Sequence, residues 1–401
     1  MGRRSFLAGA AGLAIGVVAC TGGREGPDAG APSGSAPSLA ATADADCAAS
    51  DGPSLWRTAW DRGLVYGSSA ATWQLADAAY RRVFTREAAV LFTEDDLLWW
   101  RLRPSPDAGL DFSYGDEVVA FAEARGILGF GAHLVWDEGF GDGWSEADFL
   151  LLDDAEAEAL LFGTVEAMVE RYRGRIAGWI VANEVLGDDG LRTDVPWFWT
   201  LGEGYVARAF ELANGIDPEA TLVLNDFGYE TDIGTTIAAR KRAATLAFID
   251  DLLAADVPVH ALGIQAHLIV GDFVDSFDER AYRRFLGDVA DRGLRILVTE
   301  LDVLDDGLPD DVGTRDRTVA EVYARYLDVA LDEPAVASVM TFGLSDRYTW
   351  LEEDYPREDG APRRPLPYDD DLRPKPAYET ITSALARAPM REPLWRPTHC
   401  S

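Results

Sequence analysis

Lysine is almost missing from this chain of 401 residues: Lys241 and Lys375 are the only two among 36 basic residues. So few ammonium groups leave little room for Schiff-base chemistry or for the lysine of a phosphate cradle. The loop after the first apolar run of the folded region, Tyr66-Gly-Ser-Ser-Ala70, is not a Gly-x-Gly-x-x-Gly turn. Histidine is scarce too. His133, His260, His267 and His399 are the full set, and no spacing among them and the three cysteines matches a zinc site. No metal and no cofactor is expected. A basic face is also lacking, since 69 acidic residues against 36 basic ones give a formal charge of -33. That balance argues against nucleic acid or an anionic membrane surface as partner. Beyond residue 20 no apolar run is long enough to span a bilayer.

What is present starts with an export pattern. Arg3-Arg4-Ser-Phe6-Leu7 resembles a twin-arginine signal, followed by an apolar stretch from Leu7 to Ala19 that is too short for a membrane span. It ends in Val17-Val-Ala-Cys20, similar to a bacterial lipobox, which makes Cys20 the candidate lipidated residue. A signal cut elsewhere beside a chance cysteine is the alternative. Residues 1–20 are read as the signal. Residues 21–52, rich in Gly, Ala, Ser, Pro and Asp, are read as a flexible tether. The expected location is outside the cytoplasm, as a cell-surface or periplasmic lipoprotein or a secreted protein, with membrane contact only through Cys20. Cys47 and Cys400 lie at the two ends of the folded region. Export permits a disulfide between them, and a closed barrel would bring the ends together; two free thiols on frayed ends are the alternative.

From Leu64 onward strand-like and helix-like stretches alternate. Apolar runs fall at Leu64–Ser68, Ala88–Phe92, Leu128–Trp136, Gly178–Asn183, Thr221–Asn225, Ala261–His267, Arg295–Glu300 and Ser338–Gly343. Amphipathic stretches lie between them, among them Asp116–Arg125, Ala155–Arg173, Glu203–Gly215 and Thr235–Ala255. Eight such units in residues 53–401 predict an α/β fold, a single-domain (β/α)8 TIM barrel. In that fold every strand's C-terminal end opens on one face. The residues placed there include Asp95, Asp96, Trp136, Asp137, Asn183, Glu184, Asn225, Gln265, His267, Glu300 and Asp302, with Trp350 shortly after the last strand. Amides and carboxylates grip hydroxyls and indoles stack on sugar rings, so the mixture suggests carbohydrate. Two runs, Trp179-Ile-Val-Ala-Asn-Glu184 and Ile296-Leu-Val-Thr-Glu300-Leu-Asp302, end in glutamate. Facing carboxylates are what glycoside hydrolysis needs; solvated strand-end acids are the bland alternative.

At these residues the chain resembles glycoside hydrolase family 10, the retaining endo-β-1,4-xylanases. The likeness runs in order through Phe92-Thr, Trp100-Arg-Leu-Arg-Pro104, Gly131-Ala-His-Leu-Val-Trp136, Trp179–Glu184, Leu224-Asn-Asp226, Gly263-Ile-Gln265-Ala-His267, Val298-Thr-Glu300-Leu-Asp302 and Gly343-Leu-Ser-Asp346. The resemblance implies a double displacement on a β-linked polysaccharide. Glu300 would be the nucleophile and Glu184 the acid/base, with their carboxyl groups roughly 5–5.5 Å apart. His267, with Asp302 behind it, would orient Glu300. Asn183 and Gln265 would bind sugar hydroxyls, and Trp136, Asp95, Asp96, Asp137 and Trp350 would line the substrate site. A monomer is expected.

Departures from the family pattern mark a divergent member with altered glycone subsites. Where the family has a Glu-Asn pair and then a Lys, this chain is read as having Asp95, Asp96 and Trp99. Ala132 stands for a histidine, with His133 one place later; Asp137 stands for another histidine, and Phe342 for a tryptophan. The added acids favour a neutral glycan over one bearing uronates. Two other readings stay open: a cell-surface glycan-binding lipoprotein on the same barrel with little or no turnover, and an unrelated barrel enzyme using the carboxylates as a metal site.

Overall fold

Eight parallel strands pair in sequence order and then close on themselves. In the computed structural model, which describes residues 38–48, 50 and 52–400, they are β1 (Val65–Ser69), β2 (Val90–Phe92), β3 (Leu128–Gly131), β4 (Ile176–Asn183), β5 (Thr221–Asp226), β6 (Ala261–Ile264), β7 (Arg295–Leu304) and β8 (Val336–Thr341). Closure comes from β8 pairing with β1, Ser338 opposite Val65, and with β7 on its other side. The strands are buried nearly throughout, as parallel strands covered by helices must be. The longer helices are α1 (Ala78–Glu87), α2 (Ser113–Ala124), α3 (Asp154–Arg171), α4 (Tyr205–Ile216), α5 (Ala238–Ala254), α6 (Glu279–Ala290), α7 (Val312–Ala330) and α8 (Pro376–Arg387). This is the (β/α)8 barrel that the alternation predicts.

Three local differences have physical causes. The run expected as one strand over Leu128–Trp136 breaks after Gly131, because the Ala132 N–H donates to Thr93 Oγ1 (3.1 Å) instead of to the ladder. It resumes beside β4, with Leu134 and Val135 donating to Ile180 and Val181 carbonyls. Helix α1 had no counterpart in the apolar pattern. Asp77 caps it, accepting from the Ala79 N–H at 2.8 Å.

The third difference concerns the tether expected over 21–52. Residues Leu39–Thr42 and Ala43–Ala48 are helical and docked on the barrel. Asp46 is buried and accepts from Arg81 Nε (2.9 Å), Arg125 Nη2 and Thr42 Oγ1. Burial opposes its charge, but those donors hold its carboxyl below the usual range. Leu39–Ala48 therefore pack on the barrel, inside the stretch expected as tether. A disulfide joins Cys47 to Cys400, Cα atoms 5.3 Å apart. The C-terminal tail runs against Gly126 (φ +62°), where a Cβ would lie 2.4 Å from Thr398 Oγ1. The expected signal over 1–20, with Cys20, lies outside the described residues. Among the described residues no helix is long and apolar enough to cross a membrane.

Candidate active site

The strand ends hand their side chains to one another in register. Glu184 donates its N–H to the Asn225 carbonyl, Gln265 to that of Asp226, and Glu300 to that of Gln265, each at 3.0 Å. Four neighbouring strand ends thus stay aligned just where their polar side chains begin. Gln265 Nε2 donates to Glu184 Oε1 (2.8 Å) and to Asn183 Oδ1 (3.3 Å). Asn225 Nδ2 donates to Asn183 Oδ1 and to Glu300 Oε1, both at 2.7 Å. The two glutamates are therefore linked through three amides, Gln265, Asn183 and Asn225. Thr299 Oγ1 fixes the amide orientation by donating to Asn225 Oδ1 at 2.8 Å.

The glutamates differ in their other partners. Glu184 is 6% exposed and receives the Trp136 indole N–H on Oε2 at 3.1 Å. Burial, with the charges of Glu138, Asp226 and Glu300 nearby, pushes its carboxyl up to about 8, against the pull of the Gln265 bond. Glu300 is 4% exposed and faces His267. Burial alone would lower the imidazole, but Asp302 and Glu300 outweigh it and raise His267 to about 10. As an imidazolium it donates from Nδ1 to Asp302 Oδ1 (2.9 Å) and from Nε2 to Glu300 Oε2 (3.3 Å). Trp350 Nε1 donates to Asp302 Oδ2 at 2.7 Å. The pair thus holds one carboxyl that keeps its proton and one set against a cation, the split that acid/base and nucleophile roles require.

Beside Glu300 opens a cleft whose walls include Glu94, Asp95, His133, Trp136, Phe342 and Trp350. Asp95 faces it while accepting from Trp73 Nε1 (3.1 Å). Asp96, expected beside it, turns away. Its oxygens accept from the Thr72 N–H (2.7 Å), Thr72 Oγ1 and Arg101 Nη1 (2.9 Å), and burial lifts its carboxyl to about 8. Glu94 and Leu98 take the wall positions that the sequence reading gave to Asp96 and Trp99. Trp99 is instead packed among Phe140, Trp144 and Trp197. Asp137 is likewise occupied, accepting the Trp197 N–H at 2.8 Å, with burial raising it to about 7. The only sequence signal for Glu94 is its place just past β2, a place that Asp95 and Asp96 share. Among the described residues no cluster of His, Cys, Asp or Glu is arranged to hold a metal ion.

The family model for glycosyl hydrolase family 10 matches residues 54–384, nearly the whole barrel. The chain belongs to that family. Family 10 relatives agree along most of their length. Endo-1,4-beta-xylanase B of Thermotoga neapolitana is 29% identical over 318 residues, 77% of this chain and 84% of that protein. The crystal structure of xylanase 10B from Thermotoga petrophila RKU-1 in complex with xylobiose superposes with a TM-score of 0.74 at 28% identity, covering 84% of this chain and 98% of that one. Native xylanase 10B from Thermotoga maritima gives 0.73 at 29% identity, covering 83% and 98%. Within this family 10 barrel Gly263 has a particular duty. A Cβ there would lie 2.2 Å from Asn225 Oδ1, so only glycine leaves room for the amide that bridges to Glu300.

Proposed function

We propose that this family 10 chain is a retaining β-glycoside hydrolase, endo-1,4-β-xylanase-like, cleaving β-linked polysaccharide by double displacement. Glu300 attacks the anomeric carbon. The bond to the leaving oxygen breaks as Glu184 gives that oxygen its proton, and a glycosyl-enzyme ester remains. Glu184, now ionised, takes a proton from water, which displaces Glu300 and restores both side chains. Asn183 and Gln265 meet sugar hydroxyls while holding the pair, and Trp136 and Trp350 form walls. The observation that carries this reading is the amide-linked glutamate pair with split surroundings, a neutral indole and amide for one and an imidazolium for the other.

The glycone half is where we infer a difference from the xylanase relatives. Glu94, Asp95, Glu353 and Asp354 line the cleft together with Phe342, a wall that disfavours uronate side groups and favours a neutral chain. We also place the enzyme outside the cytoplasm, tethered through lipid at Cys20; the Cys47–Cys400 disulfide fits an oxidising compartment. The test is release of reducing ends from unsubstituted and glucuronate-bearing xylans. Wild type releases them, faster from the unsubstituted polymer, and Glu300→Ala releases none while still binding. A wild type that binds xylan and yields no reducing ends would favour a glycan-binding role instead.

A further inference from the structure

Glu184 is held by more than its strand. Its main chain adopts a left-handed φ of 57°, which a residue other than glycine keeps only where the surroundings fix it. One fixing contact is the N–H to Asn225 described above. The other is on its carbonyl, which accepts from Arg192 Nη1 at 3.3 Å. Arg192 follows the short hairpin of Leu186–Gly187 and Gly190–Leu191, and its own N–H donates to the Val185 carbonyl at 2.8 Å. The same Nη1 donates to Glu138 Oε1 at 3.0 Å, on the loop after β3. One guanidinium therefore ties the Glu184 peptide to a carboxylate on the neighbouring loop.

We propose that Arg192 and Glu138 form a clamp that positions Glu184 and sets its proton affinity, a role that rests on Glu184 being the acid/base. The charged groups around Glu184 come from several elements. Glu138, Asp226 and Glu300 disfavour its ionised form. Lys241 on α5 offsets Asp226 at 2.7 Å, His267 offsets Glu300, and Arg192 offsets Glu138. Asp194, 3.5 Å from Arg192 Nε, adds to the same pair. Glu138 and Arg192 retain 29% and 20% side-chain exposure, so replacing them leaves the barrel interior untouched. They are positioning residues whose charges act on the proton of Glu184.

The test is the pH dependence of kcat/KM on two aryl β-xylobiosides, one with a phenol leaving group and one with 2,4-dinitrophenol. Glycosylation requires protonated Glu184, so the alkaline limb reports its proton affinity. Glu138→Gln removes a repelling charge and moves that limb down by about one pH unit. Arg192→Met leaves Glu138 unopposed and moves it up by a similar amount. Arg192→Met also lowers kcat/KM on the phenyl substrate by at least about tenfold and spares the dinitrophenyl one, whose leaving group departs without a proton. Arg192→Lys keeps the charge, so its limb stays near the wild-type position. Limbs that do not move in active variants, or equal losses on both substrates, would overturn the clamp alone. A wild type inactive on both substrates would overturn the functional reading and the clamp with it.

Discussion

Glu184 accepts hydrogen bonds from neutral donors, Trp136 and Gln265, whereas Glu300 faces a neutral amide and the His267 imidazolium. Burial and the nearby charges of Glu138, Asp226 and Glu300 raise the Glu184 carboxyl, against the pull of the Gln265 bond. With Glu184 at about 8, the acid form is present below that value, so turnover falls as pH rises through about 8. The same shift acts on stability. The folded state binds this proton more tightly than the unfolded chain, so stability is lost as pH climbs from the ordinary carboxyl range towards 8. Glu184→Gln therefore melts above wild type at pH 9 and close to it at pH 4, while its activity on unactivated substrates collapses; thermal melts at the two pH values check this. The glutamates, Asn183, Gln265 and His267 were legible because each closes an apolar run. Glu94 was not, because three consecutive acids, Glu94-Asp95-Asp96, follow β2. Which one faces the cleft depends on the local backbone turn, with Glu94 at φ +24°, and no periodicity encodes that.

At the scale of elements, strand ends do the positioning. On a regular strand Gln265 and His267, two residues apart, would share one face. Ala266 instead takes φ +61°, and the chain resumes as His267–Ile269 paired with β7. Both side chains still reach the site, but each serves a different glutamate. Gly263, one turn of the ladder earlier, clears space for Asn225. Gly263→Ala should push that amide off Glu300, costing about 1–3 kcal/mol of stability through overpacking and lowering kcat/KM by far more than the stability loss explains. Denaturation and kinetics on the same sample separate the two effects. Helix α1 went unread because its buried face mixes Tyr80, Arg81, Phe84, Thr85 and Glu87. Glu87 there is paired with distant segments, accepting from the Leu55 N–H and the Tyr368 hydroxyl.

At the scale of the whole molecule, the glutamate pair and the disulfide sit at opposite ends of the barrel. The glutamates lie at the C-terminal ends of the strands. The Asp46–Arg81–Arg125 cluster and the Cys47–Cys400 bridge lie near the N-terminal ends, where Cys400 donates its N–H to the Arg125 carbonyl just before β3. The bridge spans 353 residues of sequence, so Cys47→Ser should lower stability by about 2–5 kcal/mol and leave kcat unchanged, as denaturant titration and kinetics would read. The eightfold alternation made the barrel legible; the docking of Leu39–Ala48 was not, because its composition matches a linker and, apart from Cys47, its anchors are only the buried Leu39 and Asp46. The central claim, a covalent two-step hydrolysis through Glu300, is tested most directly by incubating the enzyme with 2,4-dinitrophenyl 2-deoxy-2-fluoro-β-xylobioside and mapping the adduct by mass spectrometry. The account predicts one fluoroxylobiosyl unit on the peptide bearing Glu300 and a matching loss of activity; label on another residue, or unlabelled enzyme that continues to turn over xylan, would contradict it.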